Sequence, residues 1–176
     1  LFVEVKAEYA KEMVTGFIQL DGVTVGAVAN RTAIYDENGE KAEEFAAVLT
    51  TDGAYKAAEF VTFCNAFEIP VLSLTNVKGF EANVRAEKTI AKAAAKLVYA
   101  FSNADVPKVN VITGEAYGSA YVAMNSKSVG ADMVYAWSQA SIGMMDASLA
   151  AKIMYADEIA AADDVTAKIN EKASEY

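Results

Sequence analysis

Two rhythms of apolar residues run along the chain, one of strands and one of helices. Residues 15–20 and 23–30 read as two strands, and Asp21-Gly22 between them supplies the positive φ values of a tight hairpin turn. Residues 31–50 are polar and predict a long surface connection, whose Phe45, Val48 and Leu49 bring its later part back onto the protein. From Asp52, the expected N-cap, to Phe67 the apolar residues Ala57, Phe60, Val61, Cys64 and Phe67 recur at three- and four-residue spacing. That stripe predicts a helix, which Pro70 stops. A buried strand over 71–75 and a loop over 76–80 follow. A second helix is expected over 87–103, with Ile90, Ala94, Leu97, Val98 and Phe101 on one face. The pattern then repeats as a strand over 109–113, a turn over 114–118 and a short helix over 119–126. Extended segments at 133–137 and 141–145, a helix over 147–155 and a last helix over 157–175 complete it. Strands alternating with helices of this length predict an α/β domain with crossover connections. One domain is expected over 1–176, because no linker or low-complexity run divides the chain.

Composition narrows the chemistry. The 176 residues are 54% hydrophobic, enough for one substantial core, and they contain no histidine. Ser-His-Asp and Cys-His catalysis, histidine metal ligation and the usual neutral-pH proton shuttle are therefore absent from this chain. The lone Cys64 excludes an internal disulfide and a multi-cysteine metal site, so no metal is expected. A net charge of −9 argues against nucleic acid or an anionic membrane as partner. Much of that charge lies in the last twenty residues, which read as a solvated acidic helix face. No run of about 20 apolar residues predicts a membrane span. The first residues lack the regions of a signal peptide, so the cytoplasm is the expected location. Leu1 is not a natural start residue, and the chain is expected to be part of a longer protein.

Chemistry without titrating side chains directs attention to two loops that leave strands with glycine at the junction. One holds Lys78, Gly79 and Phe80; the other is Glu115-Ala116-Tyr117-Gly118-Ser119-Ala120-Tyr121, which enters a helix. Ligands of α/β sheets gather beyond the carboxyl ends of strands, where helix N-termini present unpaired N–H groups. Such amides can hold a developing oxyanion. The plainer alternative is that these glycines serve only tight turns. Lys78, Arg85, Lys88, Lys92 and Lys96 could attract a phosphate but read first as solvated helix lysines and arginine. Trp137, Met144 and Met145 are expected to fill core, as is Cys64. Tyr117 and Tyr121 could wall a pocket or simply pack. Gly114 and Gly118 do not form a phosphate-binding P-loop, since no Lys-Ser or Lys-Thr follows.

From Gly16 to about Met154 the sequence resembles the C-terminal domain of biotin-dependent acyl-CoA carboxyltransferases, of the anaerobic glutaconyl-CoA and methylmalonyl-CoA decarboxylase type. The match is carried in order by 15–17 with 25–30, by 56–71, by 95–100 and by 106–109. Its most specific parts are Glu115 to Tyr121 and Val134-Tyr135-Ala136-Trp137. The resemblance implies a crotonase-like fold of the ClpP/crotonase superfamily, a spiral of ββα units. It implies acyl-CoA as substrate and biotin on a separate carrier protein or domain. It also implies a partner N-terminal carboxyltransferase domain that holds most of the CoA, and a dimer-based homo-oligomer, often a hexamer. Catalysis in the family is attributed to two backbone oxyanion holes, one for the acyl-CoA enolate and one for the ureido oxygen of biotin. The second maps onto the amides of Ser119 and Ala120 after Gly118. Gly79 and Phe80 match a loop that lines the site; Tyr117, Tyr121 and Val122 flank the corner, and the position of Val122 is linked in the family to acyl-chain choice.

Several positions depart from the family pattern. Asn76 and Lys78 stand where Asp and Pro are usual, Ser119 replaces a second glycine, Ser138 follows Trp137 in place of proline, and Asp146 replaces a glycine. Lys88 and Thr89 lie near the place of further glycines. Two other readings share the fold. A crotonase-like hydratase or isomerase would need a carboxylate beside the thioester, for which Glu115 and Asp146 are the candidates. A non-catalytic assembly module would oligomerise without binding biotin or acyl-CoA.

Overall fold

The computed structural model describes residues 1–175, and its first strand is one the apolar pattern did not reveal. β1 (Phe2–Glu4) pairs antiparallel with β2 (Met13–Leu20), which pairs antiparallel with β3 (Val23–Asn30). Asp21 and Gly22 between them sit at φ 48° and 80°, the left-handed pair that the turn needs. The polar stretch after β3 is not wholly a loop. β4 (Ala33–Tyr35) and β5 (Lys41–Glu44) form a separate two-stranded hairpin. The Asp36 side chain stabilises its turn by accepting the Asn38 and Glu40 N–H groups at 2.9 and 2.8 Å. Every residue of β5 is exposed, so no apolar alternation marks it. Leu49 is fully buried, as the return of this segment to the protein requires.

α1 (Thr51–Ala66) is capped by Thr50, whose side chain accepts the Gly53 N–H; Asp52 lies in the first turn instead of at the cap. The helix ends four residues before Pro70, where Glu68 adopts φ 57° and Ile69 N–H donates to the Cys64 carbonyl at 2.9 Å. Ala57, Phe60, Val61 and Cys64 are buried as their spacing predicts, whereas Phe67 is exposed. Burial raises the Cys64 thiol from its ordinary 9.0 to about 11, so the cysteine is protonated core.

β6 (Val71–Val77) lies parallel to β3, and β7 (Lys108–Tyr117) lies parallel to β6. Between them α2 (Val84–Asn103) starts earlier than its apolar stripe, because Asn83 caps it by accepting the Ala86 N–H at 2.7 Å. Its buried face is Ala86, Ala93, Leu97, Ala100 and Phe101, with Ile90, Ala94 and Val98 at the margin. β7 passes directly into α3 (Gly118–Ala123), so the turn expected over 114–118 is extended strand up to Tyr117. β8 (Met133–Ala136) pairs parallel with β7 at the end of the sheet order β1-β2-β3-β6-β7-β8, and the short β9 (Ser141–Gly143) also pairs with β7. The core of this unit joins Val28, Val71 and Val77 of the sheet to Val61, Leu97 and Phe101 of the helices and to Ala120 and Met124 around α3. Trp137 does not belong to it: the indole, one residue beyond β8, is 61% exposed.

The chain divides into two compact units, Leu1–Ile142 and a second that starts at Gly143. In the second, α4 (Ala147–Met154) is capped by Asp146, which accepts the Leu149 N–H at 3.1 Å. The helix expected over 157–175 is two helices, α5 (Ala156–Ala160) and α6 (Val165–Glu175). Asp164 accepts the Ala167 N–H at 2.9 Å, which starts α6 anew. α6 buries no residue completely, in keeping with a solvated acidic face. Met144 is 74% exposed and Met145 half-buried, so that pair is not core either.

Candidate active site

The parallel strands β3, β6 and β7 bring their carboxyl ends to one side of the sheet, and both glycine loops leave from there. At the β7–α3 corner Gly118 holds φ 57°. That conformation costs a side-chain-bearing residue about 1–2 kcal/mol, which makes glycine the fitting residue. It lets the chain turn from strand to helix with no intervening loop. No side chain caps α3, and the Gly118, Ser119 and Ala120 N–H groups have no acceptor in the cap and turn hydrogen bonds among the described residues. Ser119 is exposed and Ala120 is buried to 1%. The corner thus places one exposed residue, Ser119, between the half-buried Gly118 and the buried Ala120 at the N-terminal end of α3, where peptide N–H groups lack intrahelical acceptors.

Tyr117 and Tyr121 lie on either side of this turn with different surroundings. Tyr117 is buried and its hydroxyl meets the Ser141 hydroxyl at 2.7 Å, which ties the end of β7 to β9. Tyr121 is half-buried against the core, and burial raises its phenol above the ordinary value. Val122 is 37% exposed on the same short helix. The second loop is fixed by main-chain bonds: Lys78 N–H donates to the Ala47 carbonyl at 2.8 Å, and the Gly79 carbonyl accepts Leu49 N–H at 2.9 Å. Phe80 bridges to Leu49 and packs on the core. Gly79 itself has open space where a side chain would be, with no other described residue within 4 Å of that position apart from its chain neighbours.

The remaining candidates separate clearly. Arg85 pairs with Asp52 at 3.0 Å, and the Lys96 ammonium lies 5.2 Å from the centre of the Tyr55 ring. Lys78, Lys88 and Lys92 are exposed. Glu115 is a half-buried member of β7, and Asp146 is occupied as the cap of α4. Among the described residues, no group of three or more His, Cys, Asp or Glu side chains could hold a metal, and no helix is long and apolar enough to cross a membrane.

Sequence reasoning missed the polar scaffold behind the corner. Ser73 and Thr75 occupy the buried face of β6, and Asn110 is fully buried on β7. Thr75 donates to Asn110 at 2.8 Å, Asn110 donates to the Met124 carbonyl at 3.1 Å, and Asn125 donates to Ser73 at 2.8 Å. These bonds fix the carboxyl end of α3 to two strands. Hydroxyls at alternate positions of a strand otherwise read as buried were the signal, since buried polar groups require partners.

Comparison with known proteins gives the family and the fold. The carboxyl transferase domain family model matches residues 1–176. The chain is 42% identical to the methylmalonyl-CoA carboxyltransferase 12S subunit of Propionibacterium freudenreichii subsp. shermanii over 176 residues, covering 99% of this chain and 32% of that protein. It is 39% identical to the methylmalonyl-CoA decarboxylase subunit alpha of Propionigenium modestum, with the same coverage. The crystal structure of a transcarboxylase 12S hexamer with methylmalonyl-CoA bound superposes with a TM-score of 0.85 at 42% identity, over 100% of this chain and 32% of that one. This chain therefore spans about a third of the length of these relatives. Its fold is crotonase-like, as the resemblance implied, and the chain belongs to the carboxyl transferase domain family.

Proposed function

We propose that this chain is the biotin-facing, C-terminal domain of a biotin-dependent acyl-CoA carboxyltransferase or decarboxylase, and that the β7–α3 corner is its half of the active site. The carrying observation is that the Gly118, Ser119 and Ala120 N–H groups have no side-chain cap and no acceptor in the cap and turn hydrogen bonds among the described residues, at a corner where Ser119 is exposed. Biotin supplies a ureido ring that carries the carboxyl group and whose oxygen gains negative charge when the carboxyl group leaves. The Ser119 and Ala120 N–H groups donate to that oxygen, and the corner fits it because fixed amides complement an anion without moving a proton. Gly118 aims them. Tyr117, Tyr121, Val122, Gly79 and Phe80 form the walls, with Val122 facing the choice of acyl chain.

The complete site requires an N-terminal domain to hold the CoA and a carrier protein to deliver biotin, so the isolated chain is expected to be inactive. Met133 and Tyr135 of β8 and Trp137 just after it expose 54%, 56% and 61% of their surface. An apolar face of that kind supports a homo-oligomer built on dimers, a hexamer being the form described for the transcarboxylase 12S relative. The proposed location is the cytoplasm.

The test is carboxyl exchange between free carboxybiotin and a panel of acyl-CoAs with the full-length protein. Transfer to at least one acyl-CoA is expected. Hydration of an enoyl-CoA without biotin would instead favour a hydratase, and oligomerisation with neither activity would favour an assembly module.

A further inference from the structure

The strand leading into the corner is irregular, and one side chain holds the irregularity in place. Thr75 of β6 lies opposite Ile112 of β7, yet Val77 lies opposite Ala116. Two extra residues of β7 are therefore accommodated between these pairs, immediately before Tyr117 and Gly118. An unheld bulge of this kind would leave the direction of the corner amides free to vary. The Asn76 side chain fills the gap: its Oδ1 accepts the Glu115 N–H at 2.9 Å. The Asn76 N–H in turn donates to the Asn30 side chain at 3.4 Å, so the carboxyl ends of β3, β6 and β7 are linked in series. Thr113 adds a bond from its hydroxyl to the Thr75 carbonyl at 3.2 Å. Gly114 is shaped to this arrangement, because a Cβ there would stand 2.6 Å from Asn76 Oδ1 and 2.9 Å from its Cγ.

We infer that Asn76 is a positioning residue for carboxyl transfer, which sets the aim of the Ser119 and Ala120 amides by holding the β7 bulge through Glu115 N–H. This inference rests on the site proposed above. Asn76 touches no substrate in this role. It acts through three residues of strand, from Glu115 to the Gly118 turn, while the carboxyl end of α3 beyond that turn is fixed by Asn110 and Asn125. The essential feature is an acceptor oxygen at the end of the side chain.

The experiment uses the full-length enzyme with Asn76→Ala, Asn76→Asp and Gly114→Ala, with Ser119→Pro as the reference for the site itself. Displacing a reacting geometry by about 1 Å costs up to about 100-fold, so kcat for carboxyl exchange in Asn76→Ala should fall between about tenfold and about 100-fold. KM for the acyl-CoA should stay within about twofold, because the CoA is held elsewhere. Amide hydrogen exchange at Glu115 should accelerate in Asn76→Ala, and Asn76→Asp, which keeps the acceptor, should restore both protection and kcat. Gly114→Ala should reproduce the loss by displacing the Asn76 side chain, and it decides the question if Asn76→Ala fails to fold. Combined with Asn76→Ala it should add little, since both act on one contact. Unchanged kcat in both Asn76→Ala and Gly114→Ala, or an Asn76→Asp enzyme as impaired as Asn76→Ala, would overturn the positioning role while an inactive Ser119→Pro leaves the site standing. An active Ser119→Pro would overturn both.

Discussion

Replacing Ser119 by proline in the full-length enzyme is expected to lower carboxyl exchange about 100- to 1000-fold, the usual consequence of deleting one oxyanion donor. Proline removes an N–H that the helix does not use, and its ring also constrains the backbone of Gly118 before it. Ser119 is the second residue of α3, where the N–H has no intrahelical partner and a proline φ is tolerated. Its side chain is exposed and makes no hydrogen bond among the described residues, so Ser119→Ala should retain activity within a few-fold. The contrast between the two variants isolates the main chain: a loss in both would assign the work to the hydroxyl, and a loss in neither would remove the corner from catalysis. Thermal unfolding of the two should nearly coincide, which separates a chemical defect from a folding one.

The largest effect on stability is expected from Phe101→Ala, about 3–5 kcal/mol. The ring is fully buried at the end of α2, within the cluster that includes Val61, Leu97 and Ala120. Truncation removes its transfer free energy and leaves a cavity that the surrounding elements fill only in part. A loss of that size is a large fraction of the about 5–15 kcal/mol that stabilises a typical domain. Denaturant unfolding of the full-length protein measures it. A cost below about 1 kcal/mol would mean that α2 does not anchor this core as described.

The sequence made the architecture readable where one face of an element is apolar and the other is not. The hairpin at Asp21-Gly22 and the helices over α1 and α2 followed from turn chemistry and three-four spacing. β5 was hidden because all four of its residues face solvent, so nothing in its polarity distinguishes it from a loop. Helix starts were displaced for a related reason: Thr50 and Asn83 precede the apolar stripes, and a cap is defined by one hydrogen bond that a stripe does not record. Trp137 and Met144 were expected inside because large apolar side chains usually are; their exposure just beyond β8 and at the start of the second unit is a property of neighbours, not of residue type. The corner was legible through Gly118, whose positive φ a glycine anticipates. The Asn76 contact was not, since an asparagine beside a loop carries no sign of the strand it will meet.

Oxyanion stabilisation at this corner depends on where the ureido oxygen sits, and a crystal structure of the full-length enzyme with biotin bound measures that position. The prediction is a ureido oxygen about 2.7–3.1 Å from both the Ser119 and Ala120 nitrogens, on the N-terminal side of α3. A ureido oxygen held by other groups, with those two N–H groups bonded to protein acceptors, would contradict it.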